Sequence, residues 1–230
     1  MVFASLTFLF LFLPANLVLY YLLRNQSARN VTLVAFSLFF YAWGEPIWVS
    51  LLILSTLVDY GVGLGIERIR GTRWAKVALA GSMVSNLALL GTFKYSGFLV
   101  ETVNQVLGTS FTVPGFALPI GISFYTFQSI SYVVDVYRGE VRAQRSYMRF
   151  LMFVSLYHQL VAGPIVRYAH IAKEIDERIH TRADFARGVQ RFCVGLAKKV
   201  LIANVAGELV ARYLDADLAT LSVAEGWFGL

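Results

Sequence analysis

The sequence predicts an all-α, polytopic transmembrane protein with a re-entrant segment and cytoplasmic interfacial helices. Three observations carry that prediction. Hydrophobic residues make up 57% of the 230 residues and charged residues 15%, with a mean hydropathy of +0.63, whereas a soluble domain carries about a quarter charged residues. The run Val2 to Leu23 holds no charged residue and is long enough to cross about 30 Å of hydrocarbon. The basic residues, which give a net charge of +6, lie in short connections between apolar runs. That placement follows the positive-inside rule and argues against a nucleic-acid surface.

The elements follow in order. No basic residue precedes Val2 to Leu23, while Arg24 and Arg29 follow it. This reverses the order of a signal peptide, so the run is expected to be a retained helix with its N-terminus outside the cytoplasm. Val31 to Trp43 is a short apolar run closed by Gly44-Glu45-Pro46, about 20 Å long as a helix. Ile47 to Ile66 is a full-length run containing Asp59, and 67 to 76 carries four basic residues against one acidic. Val77 to Phe93 returns outward. Phe98 to Leu107, with Glu101 and Asn104, is too short to cross and is expected to lie separately at the outer interface.

Leu118 to Val136 crosses again, leading to a basic connection, Arg138 to Arg149. Arg167 to Lys199 is also basic, although one apolar run separates the two. Phe150 to Val166 is therefore expected to enter and leave on one face, as a re-entrant hairpin bent at Ala162-Gly163-Pro164. Thr181 and Asp184 have capping-box spacing. The helix they open sets Phe185, Val189, Phe192, Leu196 and Val200 opposite Arg187, Arg191 and Lys198, the pattern of an interfacial helix. A last apolar run starts near Leu218 and reaches Leu230, and there is no internal repeat of the kind that halves many transporters.

Within Leu118 to Arg138, Tyr125, Gln128, Tyr132 and Asp135 follow one another at spacings of three, four and three. They fall on one helical face, a polar stripe inside a membrane-buried segment. Such groups persist at that depth where they face protein or a water-filled passage, so the stripe marks either a functional face or a hydrogen-bonded helix contact. In the next stretch, Tyr157 to Tyr168, Pro164 breaks the backbone hydrogen-bond ladder beside Gln159 and Arg167.

Three segments, GISFYTFQSISYVVDVYR from Gly121, QLVAGPIVRY from Gln159 and GLAKKVLIAN from Gly195, together resemble the membrane-bound O-acyltransferase family, in particular its alginate O-acetyltransferase branch. The resemblance covers residues 1 to 230, with one departure: Tyr157-His158-Gln159 stands where the family commonly has Phe-Pro-Gln. It implies a multi-pass protein of the bacterial cell inner membrane that supplies acetyl groups for exopolysaccharide O-acetylation. It also implies an acyl donor on the cytoplasmic side, acetyl-CoA or another thioester, and no bound cofactor. The expected partners are a periplasmic acetyltransferase or other polysaccharide-modification proteins, together with membrane lipid.

Acyl transfer to a hydroxyl needs a general base, usually His. Among His158, His170 and His180, only His158 sits at membrane depth, and it is a weak candidate. The family's proposed catalytic His lies in a Trp-His motif well past the segment that here begins at Ala224, so the catalytic His is expected beyond Leu230. None is therefore transferred to a residue of this chain, which is expected to be the N-terminal part of a single membrane domain. Its contribution is expected to be the wall of a buried passage, from Tyr125, Gln128, Tyr132, Asp135, Gln159 and Arg167. No multi-cysteine metal motif is possible with Cys193 alone, and the alternating Gly61, Gly63 and Gly65 suit close helix packing. Lys198-Lys199 suits anionic lipid better than a donor's phosphates. A small-solute transporter and an inactive membrane scaffold are the rival readings.

Overall fold

The computed structural model describes residues 3–160, 163–214 and 227; all regular structure among them is helical. Two compact units are present, one of residues 14–178 and one formed from the described residues of 2–13 and 179–230. The last apolar run, Leu218 to Leu230, lies outside the described residues apart from Trp227.

The N-terminal apolar run is helical from Phe8 to Leu22, as a π-helical segment Phe8–Phe12 continuing into α1 (Leu13–Leu22). Pro14 cannot donate to the carbonyl four residues earlier and crowds that turn, and the wider π turn sits where the mismatch falls. Helix α2 (Gln26–Gly44) starts earlier than its apolar core, because the Asn25 side chain accepts from the Ser27 backbone N–H. At 19 residues it is about 28 Å long, close to the hydrocarbon thickness.

Helices α3 (Trp48–Arg68) and α4 (Arg73–Leu107) are both long and apolar enough to cross a membrane. The expected break before Phe98 does not occur. Residues Lys94 to Gly97 stay helical, and α4 runs 35 residues to Gly108, which adopts a left-handed φ of 65°. One glycine inside a helix costs only about 1 kcal/mol, too little to end a helix whose ladder is otherwise complete.

Helix α5 (Ile122–Arg138) is bounded by Gly121 and Gly139, both at positive φ. It packs against α3 and α4, and also meets α6 (Tyr147–Ser155) and α8 (Tyr168–Asp176). The closest approach is at Gly63 of α3, where an added Cβ would stand 2.7 Å from the Tyr132 ring. Asp59, 1% exposed, ties α3 to α4 by accepting from Ser82 Oγ at 2.9 Å and from Asn86 Nδ2 at 2.9 and 3.1 Å. Asn30 of α2 donates to the Ile175 carbonyl and pairs with Arg178, joining α2 to the end of α8.

The expected bend at Ala162-Gly163-Pro164 falls partly outside the described residues, and the first break comes earlier. Helix α6 ends at Ser155, Leu156 turns to ψ 116°, and a single turn, α7 (Tyr157–Leu160), follows. Val161 and Ala162 lie outside the described residues. Helix α6 is interior, with Phe150, Phe153 and Val154 fully buried, and it packs against both α2 and α3.

In the second unit, Thr181 caps α9 (Arg182–Ala197) as its spacing requires, its hydroxyl oxygen accepting from the Asp184 N–H at 3.0 Å. The Thr181 hydroxyl, with Arg187, holds the Asp184 carboxyl below the usual carboxylate range. A π-helical segment, Lys198–Ala203, joins α9 to α10 (Asn204–Leu214). Phe185, Val189 and Phe192 on the apolar face of α9 are 45%, 45% and 40% exposed.

Candidate functional site

The α5 stripe is buried along its whole length. Tyr125, Gln128 and Asp135 are each 1% exposed and Tyr132 is 0%, so the helical spacing brings all four to the protein side of α5. Around them lie buried polar atoms whose hydrogen-bonding capacity no described protein group meets. These are the Tyr125 hydroxyl, both amide atoms of Gln128, Asp135 Oδ2, Thr126 Oγ1, Tyr41 Oη and Ser155 Oγ. Native interiors leave few such atoms, and in a membrane each one costs more than in water-exposed protein. Tyr41, Thr126 and Ser155 escaped the sequence reading. Tyr41 and Ser155 each stand in an apolar run where a hydroxyl-bearing residue is ordinary, and Thr126 lies off the spacing that defines the stripe.

The other candidates divide into three kinds. Tyr132 has its hydroxyl engaged, accepting from the Gln144 N–H at 3.0 Å. Its ring is wedged between Phe150 and Tyr168, at centroid distances of 4.5 and 5.1 Å, so packing accounts for it. Asp135 pairs through Oδ1 with Arg167, whose side chain is 41% exposed and also meets Glu140 at 2.6 Å. Arg167 thus carries a charge from the surface onto the inner end of the stripe. Gln159 is buried and donates to the Phe153 carbonyl, bracing the bend at Leu156.

His158 is exposed, its ring beside Tyr157. Its neighbour on the single turn α7, Gln159, is buried. His170 and His180 are not among the buried polar residues. The three His residues up to Leu230 thus leave the buried stripe without an imidazole among the described residues. Nor is any cluster of His, Cys, Asp or Glu among the described residues arranged to hold a metal.

No family model matches the chain, and no solved structure matches it. Curated sequences do. Over its whole length the chain is 40% identical to "Probable alginate O-acetylase AlgI" of Pseudomonas aeruginosa and 42% identical to the protein of that name from Azotobacter vinelandii, covering 44% and 46% of them. It is 28% identical, over 96% of its length, to "Peptidoglycan O-acetyltransferase" of Helicobacter pylori, of which it covers 47%. The chain thus spans about half the length of the curated relatives it matches. Along its whole length the chain is thus similar to proteins named as alginate O-acetylases, and more distantly to a peptidoglycan O-acetyltransferase.

Proposed function

We propose that this chain supplies one wall of the acyl passage of an inner-membrane O-acetyltransferase that modifies an exopolysaccharide such as alginate. The observation that carries the reading is the buried face of α5. There Tyr125 and Gln128 hold polar atoms in the interior without a partner among the described residues, as groups do when they serve a polar substrate or a file of water. The names of the relatives supply the chemistry, transfer of an acetyl group to a polysaccharide hydroxyl. The donor is an acyl thioester such as acetyl-CoA, taken from the cytoplasmic side. The acceptor is the polymer or a periplasmic acetyltransferase reached from the other side.

Within the passage, Gln128 can donate to an acyl carbonyl and accept from a hydroxyl, and Tyr125 can do either. The Asp135–Arg167 pair sets the charge at one end. No residue of this chain is assigned as the base, because no His is among the buried polar residues described.

The test is exopolysaccharide acetylation in cells lacking their own enzyme. The full enzyme carrying Gln128→Leu should reach the membrane in normal amount yet acetylate at least about tenfold less, the range of a lost transition-state contact. Residues 1 to 230 expressed alone should insert and transfer no acetyl group. Turnover by that chain, abolished by His158→Ala, would make His158 the base and overturn the assignment.

A further inference from the structure

A cavity of about 620 Å³ opens on the exposed side of α3, lined by Gly61, Leu64, Gly65, Glu67, Arg68 and Arg145. We propose that it binds one anionic phospholipid, with the phosphate held by Arg68 and Arg145 and an acyl chain lying in the trough over Gly61 and Gly65. The trough exists because both glycines leave the helix surface bare: a Cβ added to either would meet nothing within 4 Å. Helix packing explains Gly63, which faces Tyr132, but it explains neither of its neighbours. Two exposed glycines in a membrane helix weaken it unless something lies against them.

The shape and charge of the lining select an amphiphile. Gly61, Gly65 and Arg68 continue a face that begins with Leu54, Leu57 and Val58, which are 59%, 48% and 57% exposed. Val58 stands about 15 Å from Arg68 along the helix axis, the depth of one hydrocarbon leaflet. An acyl chain anchored at Arg68 would therefore run over glycine first and branched side chains below.

At the polar end, two arginines face one glutamate. Glu67 accepts from the Ala143 N–H at 3.1 Å and from Arg145 at 2.5 Å, which fixes Arg145 at the mouth while leaving most of its five N–H donors for a ligand. Among the described residues Arg68 has no ion pair. One uncompensated positive charge beside an apolar trough fits a single lipid phosphate better than a soluble anion, which would not use the trough.

The test is native mass spectrometry of the intact enzyme reconstituted in nanodiscs containing equal phosphatidylglycerol and phosphatidylcholine, with no activity readout. Phosphatidylglycerol should remain bound in preference. Arg68→Gln should lower its retention roughly fivefold, the value of one basic residue at the membrane surface. Gly65→Leu, which fills the trough without altering charge, should expel the lipid, while Arg24→Gln on another connection should leave it in place. Equal retention of the two lipids would overturn the site, as would an effect of Arg24→Gln equal to that of Arg68→Gln. Unchanged retention in Gly65→Leu, or replacement of the lipid by added acetyl-CoA, would overturn it too.

Discussion

Gly63 and Tyr132 occupy a single space: a Cβ on Gly63 would stand 2.7 Å from Tyr132 Cε1 and 2.9 Å from its hydroxyl. Because the hydroxyl also accepts from Gln144 and the ring is held by Phe150 and Tyr168, Tyr132 cannot swing aside. The α3–α5 contact, which seats the polar stripe, therefore depends on a missing side chain. Gly63→Ala is expected to cost about 1–3 kcal/mol as an overpacked core substitution, read as a lower unfolding temperature in detergent. Gly91→Ala, where an added Cβ meets nothing within 4 Å, should be neutral or slightly stabilising. Equal stability of the two variants would show that the contact yields.

The Asp135–Arg167 pair is asymmetric, and so should be its variants. Arg167→Leu leaves Asp135, 1% exposed, as a carboxylate without its cation. Asp135→Leu leaves Arg167, 41% exposed, still facing Glu140 at 2.6 Å. Breaking a fully buried pair costs about 3–5 kcal/mol. With Arg167 partly exposed the cost is smaller, and Arg167→Leu, which strands the buried carboxylate, is expected to be more destabilising than Asp135→Leu. Membrane protein levels measure the difference. A greater loss in Asp135→Leu would reverse the argument.

Asp59, Ser82 and Asn86 form a neutral-donor cage around a buried carboxylate between α3 and α4. In a double-mutant cycle, Asp59→Leu and Asn86→Leu should couple by about 0.6–1.7 kcal/mol, the range seen for hydrogen-bonded helix pairs in membranes. Additive losses would mean that each residue packs independently.

Sidedness can be checked with thiol probes after replacing Cys193, which is exposed. Cysteines at Arg29, Arg70, Arg145 and Glu177 should all react from the cytoplasmic side alone, since each lies in a basic connection. Labelling of 145 from the cytoplasm and of 177 from the periplasm would mean that the segment through Pro164 crosses the membrane.

Composition and spacing determined the helical class, the positions of α3 and α5, the Thr181 cap of α9 and the four-residue face of α5. Each of these depends on nearest neighbours along the chain: apolar run length, 3.6-residue periodicity and the first unsatisfied N–H of a helix. Tertiary structure decided the rest. It made α4 one helix through Gly97, moved the first break of α6 to Leu156, and separated Gly63 from Gly61 and Gly65. It also assigned Tyr132 to packing while leaving Gln128 and Tyr125 with polar atoms unmet. Whether a buried hydroxyl finds a partner depends on which helices stand opposite, and residues as distant as Gly63, Tyr132 and Gln144 settle that together, in a relation no local pattern encodes.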